Sequence, residues 1–332
     1  METKLQTERK IEEIKNIFQQ KLRKALQLHK ISSPLMVMDG TGINDDLNGL
    51  ERPLKFKVKA LQDAQAVIVH SLAKWKRIKL KEYEIRVHEG ILTDMHALRP
   101  DEDYSPLHSI YVDQWDWEMH ITKKDRTIAF LKTTVEKIFS ALKETESQLL
   151  QENIIASLLL PERIHFITAE DLYQKYPTLT AKEREHAIAR EFGAVFIIGI
   201  GGELSCGKAH DGRAADYDDW STATEIGNGL NGDFIVWSPV VGHSIELSSM
   251  GIRVDKIALE KQLKIRAEED KSSLHYHQQI LAESLPYSIG GGIGQSRLCM
   301  FFLQKKHVGE VQSSVWDENL KTELQQHGIQ LL

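Results

Sequence analysis

The stretch LHSIYVDQWDWE, Leu107 to Glu118, constrains the fold more than any other part of the chain. It alternates as a long strand does. Period-two geometry puts Gln114, Asp116 and Glu118 on one face, which can be a solvated face or part of a site, and Tyr111, Trp115 and Trp117 on the other. Further strand-like runs surround it. LKFKVKA (Leu54 to Ala60) alternates strictly and reads as a half-buried strand, and AVIVHS follows as a buried one. AVFIIGIGG, DFIVW, HSIELSS and GIRV read as short strands nearer the C-terminus. Turns join these runs, and helices do not alternate with them regularly. That pattern favours an α+β fold with a mostly antiparallel central sheet over a doubly wound one.

Helical spacing marks the flanking elements. Ile11, Ile14, Phe18, Leu22 and Leu26 recur on one face of an N-terminal helix, and Ile128, Leu131, Val135, Ile138 and Leu142 do so between about Arg126 and Leu150. LAKWKRIKL also turns helical. Ser33-Pro34 punctuates the chain before LMVM, because the residue ahead of a proline avoids the helical region. Thr180-Ala-Lys-Glu183 is a capping box, with Gly193 as the C-cap. No repeat or composition break divides the sequence, so a single domain over 1–332 is the simplest organisation.

Composition narrows the function classes. No window approaches 18 uninterrupted apolar residues, as a transmembrane helix requires. The start, METKLQTERKIEE, is charged where a signal peptide needs an apolar stretch. Cys206 and Cys299 make no C-x-x-C pair and no zinc spacing, which fits a reducing cytoplasm. A formal charge of −6 gives no general attraction to nucleic acid. A soluble cytoplasmic enzyme with no nucleic-acid or membrane partner is the expectation.

The run IGGGIGQSRL (Ile289 to Leu298) raises a nucleotide question. A dinucleotide fingerprint fails, because Arg297 stands at the sixth position of Gly292-Ile-Gly294-Gln-Ser-Arg297 and no second βαβ unit follows. A phosphate loop fails too, for want of Gly-Lys-Ser/Thr. The run can still bring backbone close to a flat ring, with Arg297 in the first turn of a helix. Arg99, in HALRPDED, lies near the top of a strand that a loop connects to the Leu107–Glu118 strand. There it can grip a phosphate in the bidentate way that lysine cannot imitate. Asp233 and Glu246 fall on two strands joined by a short turn, so they can be neighbours suited to magnesium that bridges phosphates; two exposed strand carboxylates are the plainer alternative. Arg253, between Ile252 and Val254, needs an anionic partner from the protein or from a ligand.

Other features of the sequence are weaker. His275 and His277 diverge on a helix and read as surface histidines rather than a metal site. Cys206 reads as inert. Lys55, Lys57 and Lys59 read as a solvated strand face. DYDDW (Asp216 to Trp220) is too acidic for a plain strand and reads as a loop whose aspartates can recognise an ammonium group.

The strings HSLAKWKR, ALRPDED, YVDQWDWE, DYDDWS, LNGD, ELSSMGIRVD and IGGGIGQSRL together resemble ammonia-dependent (class A) asparagine synthetase, a family related to class II aminoacyl-tRNA synthetase catalytic cores. The resemblance covers essentially the whole chain. It implies a mostly antiparallel central sheet flanked by helices, a homodimer, and ligation of ammonia to L-aspartate by way of β-aspartyl-AMP, releasing AMP and pyrophosphate. ATP and Mg2+ are the implied nucleotide substrate and metal. Gly292, Gly294 and Arg297 match the class II motif 3 that contacts the nucleotide, and Arg99 matches the motif 2 arginine on the α-phosphate. Asp233 and Glu246 stand where the family holds magnesium and nucleotide. Asp45 corresponds to the family's catalytic aspartate, with Asp46 the alternative within the acidic pair. Gln114 would bind the aspartyl carbonyl or the attacking nitrogen. Lys76 and Arg253 would hold the substrate α-carboxylate, and Asp116 and Asp218 its α-ammonium, with Ser71, Ser248 and Ser249 as nearby hydrogen-bonding groups. EIRVHEG and ELSCGKAHD depart from the family pattern in loops near the site.

Three rivals make different demands. An aspartate-activating class II aminoacyl-tRNA synthetase would normally add an anticodon-binding segment, for which no separate stretch is apparent. A non-catalytic amino-acid-binding regulator would have eroded Arg99, Asp233, Glu246 and Arg297, and all four are present. Glutamine-dependent synthesis would need a cysteine nucleophile after Met1, where the sequence has glutamate.

Overall fold

The long alternating strand lies at the middle of the computed structural model, which describes residues 3–47 and 51–332. Residues 1–2, which include the glutamate after Met1, and 48–50 lie outside the described residues. The strand runs Tyr111–Ile121 within an eight-stranded sheet. In spatial order the sheet comprises Leu28–Lys30, Gly90–Leu98, Tyr111–Ile121, Tyr287–Gly294, His243–Ile252, Asn231–Ser238, Ala194–Ile198 and His165–Thr168. The two outermost pairings are parallel and the five inner ones antiparallel. The expected sheet is therefore present, with parallel pairing confined to its rims.

Register explains the two faces. Trp117 stands opposite Leu92 and Gly291, and Trp115 opposite Ile293. Their indoles pack into the main core with Phe18 of the helix Lys4–Leu26 and Leu131 of the helix Ile128–Gln151. Ile14, Phe18 and Leu22 are fully buried there. At roughly 1.5–3 kcal/mol for each side chain of this size, that stripe fastens the helix to the sheet. On the opposite face Asp116 and Glu118 are 2% and 0% exposed, so this face is not solvated. The helix Ala73–Glu82 and a long loop between residues 199 and 222 cover it.

Several local expectations change in three dimensions. The strand expected at Leu54–Ala60 runs Lys55–Val58 and is largely exposed rather than half-buried, because its outer side meets solvent. HSIELSS and GIRV form one ten-residue strand, His243–Ile252, and not two. The capping box at Thr180 and the C-cap at Gly193 close the helix Ala181–Phe192 as expected. Among the described residues no helix is long and apolar enough to cross a membrane.

Candidate active site

A cavity of about 480 Å³ opens over the polar face of the sheet. Its floor is cleared by the glycine run. A Cβ on Gly290 would sit 1.9 Å from Glu118 Oε2, and one on Gly292 would sit 2.3 Å from Gln114 Oε1 and 2.7 Å from Asp116 Oδ1. Neither glycine has positive φ, so close approach and not backbone freedom requires them. The expected space for a flat ring is thus partly taken by the protein's own polar side chains. Gly294 differs: a Cβ there meets only Arg297, at 3.3 Å.

One end of the cavity is an interlocked acid–base set. Arg253, 2% exposed, donates from Nε (3.0 Å) and Nη2 (2.8 Å) to Glu118, and from Nη1 to Asp218. The anionic partner it demanded is a pair of protein carboxylates. Guanidinium carries five N–H groups, and these contacts leave two for a ligand. Lys76 reaches Gly291 O at 3.0 Å and Asp116 at 3.3 Å, and Asp116 also accepts from Leu72 N at 3.2 Å. Burial pushes the Lys76 ammonium below its ordinary range despite Asp116. Burial likewise raises the Asp218 carboxyl despite Arg253.

Asp45 and Asp46 separate sharply. Asp45 is 2% exposed and lines the cavity, its carboxylate accepting from Ser71 Oγ at 2.8 Å and Leu47 N at 2.9 Å. Asp46 turns outward to Lys271 at 2.9 Å and is no part of the lining.

The other end gathers cations. Arg99 follows the strand Gly90–Leu98 directly, and its Nη2 donates to His70 O at 3.2 Å while its buried Nε has no partner among the described residues. Arg297 donates to Glu246 O at 3.0 Å and to His108 Nε2 at 2.8 Å. Arginine cannot accept, so His108 Nε2 offers its lone pair and Nδ1–H donates to Ser105 Oγ at 2.7 Å. Burial and then the Arg297 charge lower His108 to about 4, which keeps it neutral. Lys182 and Arg213 complete this end.

A register shift between Phe234 and Ile235 pairs Glu246 with Ile235, bringing it to the same face as Asp233. The pair is not the exposed alternative. Asp233 is buried and bound by Arg213, and it does not line the cavity, whereas Glu246 does. Burial and Glu246 push the Asp233 carboxyl upward against the pull of Arg213. Ser249 pairs with Gly292 and shares the polar face. Ser248 lines the cavity as well, although its pairing with Phe234 and Ile293 sets it on the core-side register, and its buried hydroxyl has no partner among the described residues.

The loop expected at Asp216–Trp220 is present, and its acids are buried and engaged. Asp216 holds Lys74 at 2.8 Å and His277 at 3.0 Å, and Asp219 binds Arg126 at 2.6 Å. Burial alone would raise Asp216, but Lys74 and His277 outweigh it and hold the carboxyl well below the usual range. His277 is therefore not a surface histidine; only His275 is exposed, because the helix turns residues 276 and 277 inward. Cys206 is exposed, and among the described residues no group of three or more His, Cys, Asp or Glu side chains is placed to hold a metal ion. Sequence reasoning missed His108, Lys182 and Arg213. His108 stands at the head of the alternating strand and Arg213 follows a glycine, but nothing local marks either as facing the cavity.

The sequence matches the aspartate-ammonia ligase family over residues 5–328. It is 54% identical to an aspartate–ammonia ligase of Parabacteroides distasonis, and 53% identical to one of Bacteroides thetaiotaomicron, in each case over 98% of this chain and 95% of the relative. The fold resembles an asparaginyl-tRNA synthetase from Pyrococcus horikoshii complexed with asparaginyl-adenylate, with a TM-score of 0.68 at 14% identity, covering 92% of this chain and 68% of that one. An Entamoeba histolytica asparaginyl-tRNA synthetase, also in complex with asparaginyl-adenylate, gives 0.65 at 15% identity, covering 93% and 66%. At such identities the likeness is one of fold.

Proposed function

The chain belongs to the aspartate-ammonia ligase family and makes asparagine from aspartate and ammonia with ATP; we propose that it does so through β-aspartyl-AMP, releasing AMP and pyrophosphate. The observation that carries this route is the convergence of Arg99, Arg297, Lys182 and Arg213 with the Arg253–Asp218 and Lys76–Asp116 pairs on one cavity. An aspartate carboxylate is a poor acyl donor. Attack of its side-chain oxygen on the α-phosphorus expels pyrophosphate and creates an anhydride whose AMP leaves readily. That first step brings anion to anion, so preorganised positive charge contributes most. Arg99, with a buried Nε free to donate, takes the α-phosphate. Arg297, oriented by neutral His108, takes the nucleotide beside Gly294.

The remaining donors and acceptors fit aspartate. Arg253 and Lys76 each keep a free N–H for its α-carboxylate, while Asp116 and Asp218 face its α-ammonium. Ser71 and Ser249 stand beside them. Gln114 holds the reacting carbonyl. Asp45 attracts ammonium and accepts its proton, giving neutral ammonia for attack on the acyl carbon. Glu246 is the carboxylate suited to Mg2+, since its nearest cation, Arg297, is 3.9 Å away; Asp233 stands behind it, engaged by Arg213. Such an ion would offset phosphate charge.

A homodimer is part of the proposal. The small sheet Met36–Met38, Ala64–Ile68, Lys55–Val58 turns Val37 and Val67 inward and leaves Met36, Met38, Leu54 and Phe56 exposed on one face. A continuous apolar face of this kind is suited to a second copy. One catalytic domain in the cytoplasm is the accompanying reading, supported by a single large sheet drawing strands from residues 28 to 294 and by two free cysteines. The test is direct: supplied with ATP, magnesium, aspartate and ammonium chloride, the protein yields asparagine with AMP and pyrophosphate. Stoichiometric ADP and phosphate would indicate an aspartyl phosphate and sink the adenylate route.

A further inference from the structure

The loop that carries Asp45 is held from two sides. On the cavity side, His70 N donates to Asn44 Oδ1 at 2.9 Å, His70 Nδ1 meets Asp45 O at 3.1 Å, and Ser71 binds the Asp45 carboxylate. On the outer side lies a shelf made by the turn Glu269–Ser273 and the start of the helix His275–Leu281. Tyr276 N donates to Thr41 O at 3.2 Å, and Ile43 packs against the cluster that contains Tyr276 and Ile280. Gly42, at φ +74°, lies so close that a Cβ would stand 2.9 Å from Leu274 Cβ and 3.0 Å from His277 Nδ1. Lys271 closes the arrangement, bridging Asp46 at 2.9 Å and Glu268 at 3.0 Å with its side chain only 20% exposed.

We propose that Lys271 is a positioning residue for the amidation step, acting through Asp46 to fix the peptide that aims Asp45 into the cavity. The inference rests on the reading of Asp45 as the ammonium base. Asp45 and Asp46 are consecutive and point to opposite sides, so a tether on the second limits rotation of the first. Neither Lys271 nor Asp46 lines the cavity, so neither is placed to touch the reacting groups of adenylate formation.

Lys271→Met, Lys271→Arg and the exchange Asp46→Lys with Lys271→Asp test this, beside Asp45→Asn. Two quantities are read: aspartate-dependent ATP–pyrophosphate exchange, and the ammonium chloride concentration giving half-maximal asparagine formation. A partly exposed pair of this kind supports an effect of roughly fivefold. Lys271→Met should raise the KM for ammonium by about that factor and leave exchange within about twofold of the parent, the pattern of an interaction serving only the second step. Lys271→Arg and the charge exchange should recover most of the loss. An unchanged ammonium KM, or an equal fall in exchange, overturns the proposal. If Asp45→Asn loses amidation while Lys271→Met keeps a normal ammonium KM, the tether alone is wrong. Unaffected amidation in Asp45→Asn removes the reading of Asp45 and the tether with it.

Discussion

Gly290, Gly292 and Gly294 form a graded test of why the glycine run exists. None has positive φ, so alanine introduces no backbone strain and each effect is the collision of one methyl group. At Gly290 that methyl would meet Glu118 Oε2 at 1.9 Å and Arg253 Nη2 at 2.7 Å, inside an ion pair 0% and 2% exposed. Forcing such a pair apart costs about 3–5 kcal/mol, so Gly290→Ala should unfold at much lower urea. At Gly292 the obstacles are Gln114 Oε1 at 2.3 Å and Asp116 Oδ1 at 2.7 Å, and Gln114 is only half-buried and can swing into the cavity. Gly292→Ala should therefore lose about 1–3 kcal/mol, the usual range for overpacking. Its main deficit is in binding, because both displaced groups face aspartate. Loss of one charged hydrogen bond, at about 1.5–3 kcal/mol, predicts a KM for aspartate raised at least roughly tenfold in pyrophosphate exchange. Gly294→Ala meets only Arg297 at 3.3 Å and should be close to the parent in urea. Equal destabilisation of all three variants, or a parental aspartate KM in Gly292→Ala, would refute the reasoning.

Four other outcomes are expected. Arg99→Lys keeps the charge but loses the planar fork, so pyrophosphate exchange should fall about 10²-fold while urea unfolding is unchanged; near-normal exchange would remove it as the phosphate clamp. Asp45→Asn should retain much of its exchange while asparagine formation drops by about 10²–10⁴-fold, recovering in part as rising pH supplies free ammonia; Asp46→Asn showing that uncoupling instead would reverse the assignment. Phe56→Glu places a charge on the exposed face of the small sheet and should shift the sedimentation coefficient towards a monomer; an unchanged value places the dimer contact elsewhere. His108 has a folded pKa of about 4, below the ordinary 6.5. Its neutral form therefore stabilises the fold fully above pH 6.5, and that contribution is lost as pH falls towards 4. His108→Gln should flatten the urea midpoint over that window relative to the parent, and parallel profiles would contradict it.

Much of the fold was legible because it is local. The Leu107–Glu118 alternation separated Trp115 and Trp117, which reach the core, from Gln114 and Asp116, which reach the cavity, although Tyr111, on the tryptophans' face by period, lines the cavity too; helical spacing marked Ile14, Phe18 and Leu22, which are buried. Arg99, Arg253 and Arg297 stood out from their sequence settings and the resemblance added Lys76 and Asp45; all five line the cavity. Partners were not legible. Arg297 meets His108 across 189 residues, and Lys74 meets Asp216 across 142.

What the sequence alone determined is the kind of each element and the chemistry of its faces, since periodicity and turn residues act within a few residues of themselves. Only the tertiary structure decided which charges meet. It took an irregular register to bring Glu246 beside Asp233, and it took Lys271 on one side and Ser71 on the other to send Asp46 outward and Asp45 in. Those outcomes depend on packing between segments far apart in the chain, where an ion pair forms only once the sheet has fixed the distance between its members.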